Sequence, residues 1–131
     1  MGGGLEPWAA GMKILIVDDS KAMRMIVRRT LRQAGFGGHE VTEATNGKEA
    51  LDAIRGEAPD LVLSDWNMPE MTGIELLDAL RSSGITVNFG FVTTERTTEM
   101  RDRASSSGAK FLIVKPFTPE DFQAALAPLL G

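Results

Sequence analysis

Short apolar runs alternate with amphipathic stretches from Lys13 onward, and this pattern predicts repeated strand–helix units around a parallel sheet. Residues 14–17 form a continuous apolar run, which indicates a central strand covered on both faces. Residues 61–63 and 111–114 show the same pattern and predict two more buried strands. Residues 40–44 alternate polar and apolar side chains instead, which is typical of an edge strand with one solvated face.

A further strand is predicted over residues 85–92, although Asn88 and Gly90 interrupt its apolar run. Apolar positions at three- and four-residue spacing predict helices over residues 21–34, from Asn46-Gly47 to Gly56, over residues 73–84, over residues 95–106 and from Thr118 onward. The fourth helix has few large apolar residues, so we expect it to be the least firmly docked.

The last helix carries clear boundary signals. Thr118 is a natural N-cap, Pro119 fits the first helical position, and Asp121 completes a capping-box pattern. Pro128 lacks a backbone N–H donor and its ring clashes with the preceding turn. We therefore expect this helix to bend or end just before Pro128.

Together these elements predict an α/β fold, a doubly wound five-stranded parallel sheet with helices on both faces. At 131 residues and 43% hydrophobic content, the chain is the size of one domain that can bury a core. Residues 1–11 are glycine-rich and aperiodic, so we interpret them as a flexible tail or a cloning remnant. Residues 12–131 are assigned to the single domain.

Composition removes several classes of function. The absence of cysteine excludes a disulfide framework, a thiolate zinc site and a cysteine nucleophile. A net charge of −4 argues against sequence-independent nucleic-acid binding, and we interpret the basic first helix as a solvated face carrying Arg24, Arg28, Arg29 and Arg32. The sole histidine, His39, has no obvious partner, so we expect it to be exposed.

No apolar run approaches the roughly eighteen residues needed to span a bilayer, and the N-terminus lacks a basic segment followed by an apolar one. We therefore expect a soluble, unsecreted, cytoplasmic protein without a membrane partner.

Polar residues follow the strands of the predicted sheet at the edge where its carboxyl ends meet. The first strand is followed by Asp18-Asp19, the third by Asp65, the fourth by Thr93-Thr94 and the fifth by Lys115-Pro116. A single aspartate after a strand is usually a helix cap or a turn former. Three acids with a lysine and a threonine, from four strand ends, predict a functional site instead.

These carboxylates require positive charge nearby. Two carboxylates about 5 Å apart repel each other by roughly 3 kcal/mol at an effective dielectric of about 20. Lys115 supplies one positive charge, and a hard divalent cation fits the remainder, because oxygen ligands favour magnesium, manganese or calcium over zinc. Magnesium suits an open site of this kind, since it keeps several waters and takes only one or two carboxylates.

The motifs at these strand ends resemble the response-regulator receiver family, and most closely its single-domain chemotaxis members. The residues that carry the resemblance are Asp18-Asp19-Ser20, Ser64-Asp65-Trp66-Asn67-Met68-Pro69, Val92-Thr93-Thr94-Glu95 and Lys115-Pro116-Phe117. The match runs over residues 13–130, with each motif at the expected strand end. The resemblance implies a flavodoxin-like receiver with strand order 2-1-3-4-5.

The resemblance also implies roles for the acidic residues. Asp65 would be the phosphoacceptor, and Asp19 and Asp65 would bind Mg²⁺ directly, for which Mn²⁺ could substitute. The backbone carbonyl of Asn67 would be a further ligand, and Asp18 would act largely through water.

Other implied roles concern the phosphoryl group. Lys115 would pair with it, and Thr93 would hydrogen-bond to it and move on activation. The bond between Lys115 and Pro116 would be cis. Asn67 and Glu95 resemble family positions that influence the rate at which the phosphoryl group is hydrolysed.

The sequence departs from the family pattern at two positions. The family usually places Tyr or Phe three residues before the lysine, where this chain has Leu112. The neighbouring Phe111 lies on the opposite side of a strand, so it is not expected to substitute for that aromatic ring. The residue after Thr93 is commonly small, whereas Thr94 is larger and would restrict access to Asp65.

The main hypothesis is a phosphorylation-dependent signalling switch, with a sensor histidine kinase as its phosphoryl donor. Thr93 would pull the following loop inward and alter the face made by the fourth helix, the fifth strand and the fifth helix, where a target protein would bind. We expect the protein to be a monomer. It would not be an enzyme, because it would catalyse only its own phosphorylation and dephosphorylation.

Several alternatives remain open. A role in chemotaxis, a phosphate sink and a phosphorelay shuttle all fit the main hypothesis. A flavin-binding module would need a phosphate-cradling loop after the first strand, where Asp18-Asp19 would repel the phosphate. An aspartate-nucleophile phosphohydrolase would need an Asp-x-Asp motif and a cap, and neither is present in the sequence.

Overall fold

Five parallel strands and five helices alternate along the chain in the computed structural model, which describes residues 11–130. The strands are β1 (Lys13–Val17), β2 (Glu40–Ala44), β3 (Leu61–Ser64), β4 (Asn88–Thr93) and β5 (Phe111–Val114), and the helices are α1 (Lys21–Gln33), α2 (Gly47–Gly56), α3 (Gly73–Ser82), α4 (Thr98–Ser106) and α5 (Pro119–Leu130). The strand order is β2-β1-β3-β4-β5. The predicted tail lies outside the described residues except for Gly11. Within residues 11–130, no helix has the length and hydropathy needed to cross a bilayer.

The sheet divides the interior into two apolar layers because successive strand residues point to opposite faces. Leu15 and Val17 pack with residues of α2, α3 and α4 on one face, whereas Ile14 and Ile16 pack with α1 and α5 on the other. Strand β1 is central and buried on both faces, and β2 is an edge strand with exposed positions, as the sequence pattern predicts. The predicted doubly wound fold is confirmed.

The prediction for the fourth strand is wrong at its beginning, since β4 starts at Asn88 and not at residue 85. The Ile85 N–H donates to the Leu80 carbonyl at the end of α3. Arg81 donates to the carbonyls of Ile85 and Val87 at 2.9 and 3.0 Å. These backbone groups are therefore satisfied by a turn and by a guanidinium, which replaces the sheet hydrogen bonds that a longer strand would make.

Helix α4 begins at Thr98, three residues later than the predicted start at Glu95. Thr97 is the N-cap, and its hydroxyl accepts a hydrogen bond from the Met100 N–H at 3.2 Å. Threonine favours this position because its hydroxyl satisfies an N–H that the helix leaves free. Ala104 is the only buried residue of α4, so the expectation of a weakly docked helix is confirmed.

Helix α5 continues through Pro128 to Leu130, so an end of the helix before Pro128 is wrong. Leu126 and Leu130 are buried with the α1 side of the sheet, and this packing favours one more helical turn. Pro128 interrupts only this last turn. The predicted start is confirmed, because the Thr118 hydroxyl and the Asp121 carboxylate accept hydrogen bonds from each other's backbone N–H groups.

Two further expectations are wrong for particular residues, although Arg29 and Arg32 are exposed as expected. His39 is half-buried, and its Nδ1 accepts a hydrogen bond of 2.9 Å from the backbone N–H of Met12. Arg24 and Arg28 do not simply face solvent, because both donate to the carboxylate of Glu43 on β2. Local sequence could not reveal either contact, since the partners lie on separate elements.

Candidate functional site

Three aspartates meet at the carboxyl edge of the sheet, beyond the ends of β1 and β3. Carboxylate oxygens of Asp18, Asp19 and Asp65 all lie within 4.8 Å of one another. Asp18 is buried, Asp65 is half-buried and Asp19 is exposed. The parallel register that pairs Val17 with Ser64 brings these aspartates together, because Asp18 and Asp65 directly follow these two residues and Asp19 comes next after Asp18.

Lys115 lies beside two of these carboxylates. Its Nζ is 3.2 Å from an Asp18 oxygen and 3.3 Å from an Asp65 oxygen, and its side chain is largely buried. The Lys115 N–H also donates to the Thr93 carbonyl, which fixes the end of β5 against β4. The peptide bond between Lys115 and Pro116 is cis, as the family resemblance implies. One ammonium group therefore offsets part of the charge of three acids.

The backbone around Asp65 is held on several sides. Its N–H donates to the Val17 carbonyl at 2.9 Å, and its carbonyl accepts from the Ser64 hydroxyl at 2.8 Å. One carboxylate oxygen accepts a 2.7 Å hydrogen bond from the Trp66 N–H, while the other faces Lys115. The side chain of Asp65 is thereby presented at the rim in a defined orientation.

Gly73 is a residue of this site that the sequence did not reveal. A Cβ at this position would lie 2.1 Å from the Asp65 carbonyl oxygen and 2.9 Å from the ring of Phe91. The Gly73 N–H donates to the Trp66 carbonyl, so the first turn of α3 packs directly on the backbone of the acidic loop. The available signal was the glycine at the first position of the predicted helix, a residue type that permits a close approach of the backbone.

The β3–α3 and β4–α4 loops contact each other above the site. The Asn67 side-chain amide donates to the Glu95 carboxylate at 2.8 Å, and the Glu95 N–H donates to the Thr93 hydroxyl at 3.2 Å. Thr93 is fully buried, whereas the next residue, Thr94, is exposed. Displacement of the Thr93 hydroxyl would therefore disturb a contact that reaches across both loops.

The donor set fits a hard divalent cation. Three carboxylates offer oxygen ligands, and one lysine leaves an excess of negative charge among them. Across residues 11–130, no hydrogen bond occupies the backbone carbonyl of Asn67, which leaves it available as a further oxygen ligand. Oxygen ligands with no histidine or cysteine favour magnesium or manganese over zinc.

Residues 14–127 match the family described as the response regulator receiver domain. The chain belongs to this family. Among similar proteins, the chemotaxis protein CheY1 of Helicobacter pylori is 39% identical over 123 residues, covering 92% of this chain and 98% of that protein. A chemotaxis protein CheY homolog of Campylobacter jejuni is also 39% identical, covering 92% of this chain and 93% of its own length.

Solved receiver structures share the fold. The chemotaxis protein CheY4 of Vibrio cholerae superposes with a TM-score of 0.80 at 37% identity, covering 92% of this chain and 99% of that chain. The receiver domain of the Francisella response regulator 1452 superposes with a TM-score of 0.82 at 28% identity, covering 92% and 97% of the two chains. The flavodoxin-like strand order implied by the resemblance is confirmed.

This receiver differs from the family pattern at β5 in the way its sequence predicts. Leu112 packs with the α2–α4 side of the sheet, whereas Phe111 packs with the α1–α5 side. The ring of Phe111 therefore lies on the opposite face from the position where the family usually has its aromatic residue.

A second feature that the sequence did not reveal is an ion-pair network beside the β1–α1 loop. Glu43 accepts hydrogen bonds from Arg28 and from Arg24, both at a shortest distance of 2.7 Å. The hydrogen bond from Arg28 lowers the pKa of Glu43 below its ordinary value, an effect that its partial burial opposes. Arg24 also reaches the backbone carbonyl of Asp18 at 2.8 Å, which links the network to the acidic cluster.

Proposed function

We propose that this receiver is a phosphorylation-dependent switch of two-component signalling that accepts a phosphoryl group on Asp65. The observation that carries the proposal is the placement of the Asp65 carboxylate beside Lys115 and within 4.8 Å of the carboxylates of Asp18 and Asp19. Phosphoryl transfer needs mainly a positioned nucleophile and positive charge around the transferred group. Asp65 is the positioned nucleophile and Lys115 supplies positive charge, and both lie at the same edge of the sheet.

We assign Mg²⁺ to the acidic cluster, with Mn²⁺ as a substitute. Asp19, Asp65 and the Asn67 carbonyl would hold it directly, and Asp18 would act through water. Asp18 is the buried member of the cluster, and its two carboxylate oxygens accept from the Ser20 N–H and from Lys115. When bound, the ion supplies charge that offsets the carboxylates and the phosphoryl oxygens.

The donor would be a phosphohistidine of a sensor histidine kinase. An Asp65 carboxylate oxygen attacks the phosphorus, the bond between phosphorus and the histidine nitrogen breaks, and an acyl phosphate forms. Lys115 then pairs with a phosphoryl oxygen. Water later attacks the phosphorus and releases inorganic phosphate, which regenerates the Asp65 carboxylate. On this proposal the chain catalyses only its own phosphorylation and dephosphorylation.

The output would pass through Thr93. On phosphorylation the Thr93 hydroxyl moves toward the phosphoryl group. This hydroxyl accepts a hydrogen bond from the Glu95 N–H, so the β4–α4 loop moves with it. The adjacent groove between α4 and α5 lies over β5, has a volume of about 630 Å³, and is lined by residues that include Leu112, Val114 and Arg101. We assign this α4–β5–α5 face to a downstream protein target.

The similar proteins support a role in chemotaxis, because those from Helicobacter pylori, Campylobacter jejuni and Vibrio cholerae are named as chemotaxis proteins. We place the protein in the cytoplasm as a monomer, with residues 12–131 forming the receiver and residues 1–11 a tail. The buried Asp18 after β1 disfavours the flavin alternative, because a flavin phosphate would be repelled there.

Beryllofluoride tests the proposal, because it stands in for a phosphoryl group on an aspartate. A Trp8→Phe background leaves Trp66 as the single tryptophan, next to Asp65. We expect beryllofluoride with Mg²⁺ to change Trp66 fluorescence and the amide spectra of Thr93 and Glu95. Asp65→Asn removes the nucleophile at nearly constant volume and should abolish the change. No response in the wild type, or an equal response in Asp65→Asn, would reject the switch.

A further inference from the structure

Arg24 connects α1, the edge strand β2 and the loop that carries the acidic pair after β1. Its Nη1 donates to the backbone carbonyl of Asp18 at 2.8 Å, and its Nε donates to one carboxylate oxygen of Glu43 at 2.7 Å. The side chain of Arg24 is only 12% exposed, in contrast to most surface ion pairs. A guanidinium has a rigid planar fork, so these two hydrogen bonds fix its position.

Glu43 is itself held from a second side. Its other carboxylate oxygen accepts from Arg28 at 2.7 Å, so both oxygens are engaged. A carboxylate held by two guanidinium groups has little freedom to rotate away from Arg24. The chain of contacts therefore runs from Arg28 through Glu43 and Arg24 to the Asp18 carbonyl.

The Asp18 carbonyl is part of the planar peptide unit that links Asp18 to Asp19. In the described part of the chain, Arg24 is the only hydrogen-bond donor to that oxygen. The remaining hydrogen bonds of Asp18 do not involve this oxygen: its N–H donates to the Ala44 carbonyl, and its carboxylate accepts from the Ser20 N–H and from Lys115. Arg24 therefore restrains the rotation of the peptide plane that sets the direction of the Asp19 side chain.

We propose that Arg24, oriented by Glu43, is a positioning residue for the divalent-cation site, because it holds the Asp18–Asp19 peptide so that the Asp19 carboxylate meets Asp65. The proposal rests on the function proposed above, since it presumes that this cluster binds a cation. It assigns the basic N-terminal part of α1 to the assembly of the site.

The proposal makes a prediction opposite in sign to simple electrostatics. A guanidinium near the cluster repels a divalent cation, so charge alone predicts that Arg24→Met strengthens Mg²⁺ binding. Positioning predicts that Arg24→Met weakens it, because the peptide between Asp18 and Asp19 loses its restraint. Loss of a residue that orients a metal ligand typically costs about tenfold or more in metal affinity.

The test is titration calorimetry of the full chain with Mg²⁺ and with Mn²⁺. We expect Arg24→Met to raise the dissociation constant about tenfold. Arg24→Lys keeps the charge but lacks the planar fork, so it should also weaken binding. Glu43→Gln retains Arg24 and nearly all side-chain volume, and it should give a smaller loss in the same direction. The amide resonance of Asp19 should shift in each variant before any metal is added.

Arg29→Met is the matched control, because it makes the same charge change on the same helix at an exposed residue. Its Mg²⁺ affinity should stay within about twofold of the wild type, since exposed charges are screened by salt. Urea unfolding verifies that each variant folds. If Arg24→Met does not fold, Arg24→Lys keeps the test decisive, because its charge is unchanged and charge alone predicts no loss of Mg²⁺ affinity.

The outcomes separate the two proposals. Unchanged or tighter binding in Arg24→Met and unchanged binding in Arg24→Lys, with normal binding by the wild type, would overturn the positioning role alone. Failure of the wild-type chain to bind either cation would overturn both the positioning role and the cation site.

Discussion

The ring of Phe111 lies over Gly90, its direct partner in the neighbouring strand. A Cβ at Gly90 would fall 2.1 Å from the Cε1 and Cζ atoms of this ring, so the aromatic side chain occupies the space that a side chain at Gly90 would need. Gly90 therefore does not mark a weak point of β4. It is the position that lets an aromatic residue of the edge strand β5 cover the central sheet.

Gly90→Ala should lower the free energy of unfolding by about 1–2 kcal/mol, because the ring of Phe111 must leave its site or strain the sheet. Urea unfolding measures this loss. Phe111→Leu removes the obstructing ring atoms, so the double variant Gly90→Ala with Phe111→Leu should lose less than the sum of the two single variants. If the loss in the double variant equals the sum of the losses in the two single variants, the two residues do not compete for the same space.

Lys115→Ala should retain Mg²⁺ binding and lose most of the conformational response to beryllofluoride. Removing the ammonium leaves Asp18 and Asp65 without their neutralising partner, which favours a cation at the cluster. The same change removes the charge that pairs with the phosphoryl group. Calorimetry measures the first effect and Trp66 fluorescence the second.

Lys110→Ala supplies the control for Lys115→Ala, because Lys110 is exposed and lies at the other end of β5. It should bind Mg²⁺ and respond to beryllofluoride as the wild type does. A normal response in Lys115→Ala would remove Lys115 from the proposed mechanism.

The sequence was sufficient for features that depend on local pattern and strand direction. Because parallel strands end at one edge, the sequence alone places the acids after β1 and β3 together with Lys115. The five strands and five helices were all predicted, with errors at the start of β4, the start of α4 and the end of α5.

The errors and omissions share a physical origin in contacts between distant residues. Arg81 donates to the carbonyls of Ile85 and Val87, so β4 begins later along the chain than the apolar pattern predicts. Arg24 and Glu43 are 19 positions apart, and their pairing depends on the position of β2 beside β1. Such contacts follow from the assembled fold and leave no local signal.

The capping box at the start of α3 should make stability depend on pH. Backbone and side-chain hydrogen bonds from Thr72 lower the pKa of Glu75 below its ordinary value of 4.5. The Glu75 carboxylate therefore takes up a proton at higher pH in the unfolded chain than in the folded chain. The contribution of the capping box to stability is present above about pH 4.5 and is lost as the pH falls below that value. Glu75→Gln keeps a capping-box partner without a titrating group.

Urea unfolding between pH 3 and pH 7 measures this dependence. The wild type should lose more stability than Glu75→Gln as the pH falls below the ordinary value of 4.5. Parallel curves for the two proteins would exclude Glu75 as a source of the acid sensitivity.

Glu70 adopts a left-handed backbone conformation with φ of 67°, the only non-glycine residue of the described chain with positive φ. A side chain in this conformation costs roughly 1–2 kcal/mol, because Cβ approaches the following carbonyl oxygen. Glycine avoids that cost but loses more entropy on folding, so Glu70→Gly should exceed Glu70→Ala in stability by about 1 kcal/mol. Both variants remove the carboxylate that accepts from Asn46, so the comparison isolates the backbone effect. Urea unfolding provides the measurement, and equal stability of the two variants would show that the strain at Glu70 is relieved in another way.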